Sequence, residues 1–129
     1  MVNTKYLVDI TREVLNHSDG EYLRSDFTGW CEGACAIVDY ILKNYTKETD
    51  FRIIRGKFDG QPHNWIVLND GQILDPTVDQ FGDEYSIYSS KLYKGLYQAE
   101  GECEDLLMFD DWVEYINILF EDGSRVIVD

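Results

Sequence analysis

The fold is decided by residues 63–77, HNWIVLNDGQILDPT, in which two apolar runs flank Asn69-Asp70-Gly71. Two such runs joined by a short polar segment with glycine predict a β-hairpin. A three-residue loop favours a type I turn followed by a left-handed residue, and glycine stands at that third position. The sequence therefore predicts two antiparallel strands, HNWIVL and QILDPT, joined by a turn that ends at Gly71.

The length of this loop fixes which side chains share a face of the hairpin. With three loop residues, Leu68 pairs with Gln72, and Asp75 lies opposite Trp65. His63, Trp65 and Asp75 then project from one face, with Asp75 diagonal to His63 at a backbone separation of about 7–8 Å. A two-residue loop would turn Asp75 to the opposite face. The sequence favours the register in which the imidazole and the carboxylate can meet.

Helices are predicted before the hairpin. Apolar residues recur at helical spacing from Leu7 to Val14, so we expect a first helix that is capped by Thr4 and runs to about His17. Residues 18–20 should end this helix, and residues 21–29 should form a loop. A second helix is predicted from about Cys31 to Tyr45 by one apolar stripe, the mark of a helix that packs on a core. The residues of that stripe are Cys31, Ala34, Cys35, Val38 and Leu42.

The rest of the chain reads mainly as strands. FRIIRGKF, residues 51–58, predicts a strand that residues 59–62 break, and the tyrosine-rich segments 85–89 and 91–98 predict two more. Residues 106–120 have helical spacing, while residues 117–128, NILFEDGSRVIV, fit a hairpin about Asp122-Gly123 equally well. Of the two, we expect a helix followed by a short final strand. The predicted class is α+β: a single domain over residues 1–129, with helices first and then an antiparallel sheet.

Composition limits the classes of function. The chain has 129 residues, 15.0 kDa and a formal net charge of −14, so binding to phosphate backbones is not expected. Such a charge favours basic partners, or a surface that mimics nucleic acid, although most acidic surfaces are simply solvated. No apolar stretch approaches the length of about 20 residues needed for a membrane span. The N-terminus lacks the layout of a secretory signal, and we expect a cytoplasmic protein.

Three cysteines are an odd number, and free thiols are expected in a reducing compartment. A thiol attacks as the thiolate, which the start of a helix favours over the ordinary thiol with its pKa of about 8.5. Cys31 stands where such a start is predicted. Of the two histidines, His63 opens a buried strand and is the better base, while His17 ends the first helix. Asp75 can then fix the tautomer of the imidazole.

These segments resemble known sequences. GWCEGACAIVDYIL, residues 29–42, is similar to the nucleophile segment of the transglutaminase-like superfamily, relatives of the papain-like cysteine enzymes. Residues 63–77 resemble that family's H-x-W strand and the D-x-T strand end that follows it one hairpin later. The resemblance covers roughly residues 29–77 and implies a minimal core in which a central helix packs on an antiparallel sheet.

The resemblance also implies roles for individual residues. Cys31 would be the nucleophile, His63 the base and Asp75 the orienting acid of a Cys-His-Asp triad, with no metal or organic cofactor. The backbone N–H of Cys31 would bind the oxyanion, and Trp30, Gly33 and Trp65 are the further candidates for oxyanion or substrate binding. Two departures from the family pattern are Cys35 in place of an alanine, and Pro62 and Asn64 beside His63 where small residues are commoner.

Other interpretations stay open. Cys31 can be the first core position of its helix, or Cys31, Cys35, His63 and Cys103 can bind zinc. Asp79, Gln80 and the tyrosines from Tyr85 to Tyr97 can line a site or serve the fold alone. The leading hypothesis is acyl transfer at amide bonds of a protein or peptide substrate, with a basic one favoured. The alternative is an inactive acidic binding or inhibitor protein on the same fold; the oligomeric state stays open.

Overall fold

The computed structural model describes residues 3–17, 30–104, 106 and 108–121, and of Trp30 it describes only the backbone. Within these residues the architecture is α+β, as predicted. The α-helices are α1 (Thr4–His17), α2 (Trp30–Tyr45) and α3 (Asp110–Glu121), and the strands are β1 (Arg52–Phe58), β2 (Gln61–Val67), β3 (Ile73–Leu74) and β4 (Tyr97–Glu102). Two 3₁₀ helices span Val78–Phe81 and Ser90–Leu96. No helix in this part of the chain is long and apolar enough to span a membrane.

The four strands form one antiparallel sheet in the order β3-β2-β1-β4. The helix α2 lies against β2 and is itself contacted by α1 and α3, so it occupies the middle of the molecule. Its apolar side chains are buried on almost every side of the helix, as expected of a helix in the centre of a core. The fully buried side chains of the core include Leu7, Ile37, Ile41, Ile66, Trp112 and Ile116.

The predicted boundaries of the first two helices need small corrections. The helix α1 begins at Thr4, so its cap is Asn3 rather than Thr4: Asn3 Oδ1 accepts a hydrogen bond from the backbone N–H of Tyr6 at 3.1 Å. A side-chain oxygen that accepts from this N–H is the usual N-cap arrangement. The helix α2 begins at Trp30, one residue before the prediction. The predicted loop 21–29 and helix end 18–20 lie outside the described residues.

The hairpin has the predicted register. Ile66 pairs with Leu74, and the backbone N–H of Leu68 donates to the carbonyl of Gln72 at 2.9 Å. The backbone N–H of Gly71 donates to the carbonyl of Leu68 at 2.9 Å, which closes the three-residue loop. Gly71 has a φ of 85°, the left-handed conformation that the turn requires. The pairing continues only through β3, so Asp75 follows directly at the end of the strand.

The later strand predictions are partly wrong. Residues 85–89 form turns, and most of residues 91–98 lie in the 3₁₀ helix Ser90–Leu96. Tyrosine is common in strands because it packs well on a half-buried sheet, but in this segment the tyrosines make other contacts. The hydroxyl of Tyr93 accepts from the N–H of Ser86 and donates to the carbonyl of Glu84, at 3.1 and 3.0 Å. The strand begins only at Tyr97. The predicted C-terminal helix is confirmed as α3, and the predicted final strand lies outside the described residues.

Candidate active site

His63 lies in the middle of the sheet, on β2, and is only 3% exposed. It pairs with Gly56 of β1, whose lack of a side chain leaves the space that the neighbouring aromatic rings fill. The imidazole packs edge-on against Phe81 with a centroid separation of 4.9 Å, and Trp65 stacks beside it at 6.1 Å. These contacts fix the orientation of the ring, so its two nitrogens point in defined directions.

Asp75 reaches His63 as the hairpin register predicts. The Nε2 atom of His63 lies 2.7 Å from Oδ2 of Asp75, and both side chains are essentially inaccessible to solvent. The other carboxylate oxygen, Oδ1, accepts the backbone N–H of Thr77 at 3.3 Å. Because a buried carboxylate needs hydrogen-bond donors, these contacts hold Asp75 in one position. His63 therefore keeps Nδ1 free of the carboxylate.

Tyr97 is a further partner of this carboxylate. Its hydroxyl donates to Oδ2 of Asp75 at 2.7 Å, the same oxygen that Nε2 of His63 contacts. The ring of Tyr97 packs against Phe58 and Trp65 with centroid separations of 4.8 and 4.9 Å. Burial and the negative charge of Asp75 raise the pKa of Tyr97, so the phenol stays protonated and can donate. The sequence names Tyr97 as one of the tyrosines that can line a site, but nothing local identifies it as a partner of Asp75, because β4 is positioned by its pairing with β1, about forty residues earlier.

Cys31 is the second residue of α2 and lines the same cleft as His63, whose pKa it helps to raise. The first N–H groups of a helix have no partner within it, and the helix dipole favours negative charge there. Cys31 is partly exposed, whereas Cys35, one turn further along, is buried. Burial raises the pKa of Cys35 well above its usual range, so this second thiol is kept neutral and unreactive.

The protonation of His63 reflects opposing influences. Burial lowers the pKa of its imidazole, but the hydrogen bonds and charges of Asp75 and Cys31 outweigh that effect and raise it from 6.5 to about 9. An imidazolium at neutral pH is therefore favoured between a carboxylate and a thiol. This is the electrostatic environment in which a thiolate is stabilised.

A cleft of about 620 Å³ opens beside these groups. Cys31, His63 and Gln80 contribute to its wall, together with Pro62 and Phe81. The charged residues at the cleft are Glu32, Arg55 and Glu100, of which Arg55 lies 3.9 Å from Glu100. The thiol and an amide therefore face the cleft, the imidazole lies buried at its edge, and the rim has a small excess of negative charge.

The remaining candidates from the sequence lie in different places. Trp65 is 2% exposed and packs under His63, so it supports the imidazole instead of lining the cleft. Gly33 is buried within α2 and is not among the described residues of the cleft wall. The side chain of Trp30 lies outside what the structure describes. Asp79 pairs with Arg12 at 2.8 Å, while Gln80 enters the site.

The alternative interpretations can be compared with this geometry. His17 is exposed at the end of α1 and stacks on Tyr115 with a centroid separation of 3.7 Å. Among the described residues, no three or more histidine, cysteine, aspartate or glutamate side chains are arranged to hold a metal ion. The three cysteines, Cys31, Cys35 and Cys103, are not joined by a disulfide.

Comparisons of the chain with protein-family models, with curated proteins and with solved structures give no significant match. The resemblance to the transglutaminase-like superfamily thus stays a prediction from the sequence motifs.

Proposed function

We propose that the chain is a cysteine enzyme that transfers acyl groups at amide bonds. Cys31 acts as the nucleophile, His63 moves the proton and Asp75 orients the imidazole. The observation that carries the proposal is the buried 2.7 Å contact between His63 and Asp75 beside a partly exposed thiol at the start of a helix. A nucleophile, a base and a group that orients the base are the parts that covalent acyl transfer requires.

The reaction follows from the positions of the protons. The thiolate of Cys31 attacks the carbonyl carbon of an amide, and the electron pair of the carbonyl moves to its oxygen. As the tetrahedral intermediate collapses, the C–N bond breaks and His63 gives its proton to the departing nitrogen. The product is a thioester at Cys31. Water, deprotonated by His63, then attacks the thioester and releases a carboxylic acid and the free thiol.

Hydrolysis is favoured over cross-linking as the outcome. Cross-linking requires a site that admits an amine while it excludes water, whereas Cys31 is partly exposed at its cleft. The substrate amide is thus either a peptide bond or a side-chain carboxamide. The net charge of −14, with Glu32 and Glu100 at the cleft, favours a cationic protein or peptide.

The fold that we propose is the transglutaminase-like one. Its support is the central helix with a cysteine in its first turn, packed on an antiparallel sheet that carries the histidine and ends in the aspartate. Three cysteines with no disulfide between them support a reducing compartment such as the cytoplasm. The alternative use of this fold, an inactive acidic inhibitor, is less well supported because it does not call for an accessible thiol beside the imidazole.

The test is alkylation of Cys31 by iodoacetamide as a function of pH. A simple thiol with a pKa of about 8.5 is less than about 1% ionised at pH 6 and reacts slowly there, whereas we expect Cys31, beside the His63 imidazolium, to react measurably faster at that pH. Peptide mapping by mass spectrometry identifies the alkylated residue. The variant His63→Ala should lose this advantage, whereas His17→Ala, the matched histidine replacement on α1, should keep it.

The same samples can be tested for catalysis. Incubation with a library of basic peptides should yield a mass increase at Cys31 that hydroxylamine removes, as expected of a thioester. Cys31→Ser should give no such adduct. A wild-type protein whose Cys31 alkylates no faster than a simple thiol at pH 6, and which forms no adduct, would remove the support for the enzyme.

A further inference from the structure

One short segment of the chain contacts both ring nitrogens of His63. Asp75 contacts Nε2 at 2.7 Å, and five residues later the side-chain amide nitrogen of Gln80 lies 3.2 Å from Nδ1. The two ends of this segment therefore contact the two ring nitrogens of the imidazole. The mechanism proposed above uses Asp75 and leaves Gln80 without a role, although Gln80 also lines the cleft beside Cys31.

Several contacts fix the position of Gln80. It belongs to the 3₁₀ helix Val78–Phe81, where its backbone N–H donates to the carbonyl of Thr77 at 3.0 Å. Its side-chain amide also donates to Oγ1 of Thr77 at 3.3 Å. Arg12 of α1 holds the segment from outside, through the carbonyl of Pro76 at 3.0 Å and the carboxylate of Asp79 at 2.8 Å. The amide group is thus held in place before any substrate arrives.

Whether Gln80 can donate to Nδ1 depends on the protonation of His63. When His63 is neutral, Asp75 holds the proton on Nε2, so Nδ1 presents a lone pair that the amide N–H of Gln80 can meet. Nδ1 is also the nitrogen available to take the proton of Cys31. Once Nδ1 carries that proton it becomes a donor, and it can no longer accept from Gln80. The N–H of Gln80 is then released at the wall of the cleft, next to the reacting groups.

We propose that Gln80 is a catalytic residue whose amide N–H, free of Nδ1 while that nitrogen carries a proton, donates to the oxyanion of the tetrahedral intermediate. The inference rests on the function proposed above. The thiolate forms the S–C bond, the carbonyl electron pair moves to oxygen, and Gln80 donates to that oxygen without giving up its proton. When the C–N bond breaks, the oxygen returns to a carbonyl, Nδ1 loses its proton to the leaving nitrogen, and Gln80 returns to Nδ1.

Two reagents separate this role from simple support of His63. Iodoacetamide alkylates Cys31 by displacement of iodide at a saturated carbon, without an oxyanion. The ester p-nitrophenyl acetate acylates the thiol through a tetrahedral intermediate and releases nitrophenolate. We expect Gln80→Met, which keeps the length of the side chain, to slow the nitrophenolate burst about 100-fold, the usual effect of losing one oxyanion donor. Alkylation at pH 6 should change by less than about two-fold.

A second variant and a control complete the test. Gln80→Glu offers no donor when ionised and should be as slow in acylation as Gln80→Met, while Gln98→Met, an exposed glutamine on β4, should acylate like wild type. An equal fall in both reactions would mean that Gln80 only positions the imidazole, and no fall in either would mean that it has no role; both overturn the inference. A wild-type protein that shows neither rapid alkylation nor a burst overturns the proposed function itself, and Gln80 with it.

Discussion

Replacement of Asp75 by asparagine removes the carboxylate that holds the buried imidazole, and its cost should depend strongly on pH. In the wild type, Asp75 and Cys31 outweigh burial and raise the pKa of His63 from 6.5 to about 9. The folded protein thus binds a proton that the unfolded chain releases above pH 6.5. Each unit of difference in pKa corresponds to about 1.4 kcal/mol, so the proton contributes on the order of 3 kcal/mol to the free energy of unfolding.

The sign of the pH dependence follows from the direction of the shift. Because the pKa of His63 is higher in the folded state, the stabilisation is complete below pH 6.5 and is lost as the pH rises through about 9. In Asp75→Asn the burial remains and the carboxylate is gone, so the pKa of His63 falls. We expect Asp75→Asn to destabilise the protein by about 3 kcal/mol more at pH 6 than at pH 10.

The measurement is urea unfolding of both proteins at a series of pH values from 6 to 10. The control is Asp70→Asn, the same replacement in the exposed turn of the same hairpin, where the side-chain oxygen accepts the N–H of Gln72 and an amide can do the same. Its effect should stay below about 0.5 kcal/mol at every pH. A destabilisation by Asp75→Asn that is equal at pH 6 and pH 10 would refute the argument, because His63 would then gain nothing from the carboxylate as a charge.

Two further replacements probe the surroundings of the site. Tyr97→Phe removes one donor from Oδ2 of Asp75, so we expect the free energy of unfolding to fall by about 1.5–3 kcal/mol. The carboxylate then binds the imidazolium more tightly, and the pKa of His63 should rise above about 9. Ring-proton NMR titration measures this pKa, with Tyr85→Phe as control, and an unchanged or lower value contradicts the argument. Gly56→Ala places a methyl 2.8 Å from Cη2 of Trp65 and against the carbonyl of Gln98, so thermal unfolding should show a loss of stability of about 2–3 kcal/mol. Gly95→Ala, where the added methyl meets open space, should change stability by less than about 1 kcal/mol.

The sequence is informative about the site wherever the determinants are local. Loop length and one glycine settle the hairpin register, and the register alone decides that Asp75 faces His63. Likewise, a regular apolar stripe is enough to place Cys31 within one residue of the start of α2. Each of these inferences spans fewer than about fifteen residues, a range within which backbone geometry leaves few choices.

What the sequence does not disclose are partners that meet across the fold. Tyr97 reaches Asp75 only because β4 pairs with β1, and the tyrosine-rich segment before it gave no sign of where a strand would begin. The ion pair between Arg12 and Asp79 joins two residues that are 67 positions apart in the sequence. Such pairings depend on which surfaces pack together, a question that local preferences for helix or strand do not answer.

Both contacts to the imidazole nitrogens come from one short segment of the chain. A base that takes and returns a proton needs a fixed acceptor on one nitrogen and a defined partner on the other. Here the hairpin sets Asp75, and the turn of 3₁₀ helix that follows sets Gln80, so the geometry of both depends on the same few backbone hydrogen bonds. A disturbance of that segment should therefore affect the two nitrogens together, which ties the stability of the hairpin directly to the chemistry proposed for Cys31.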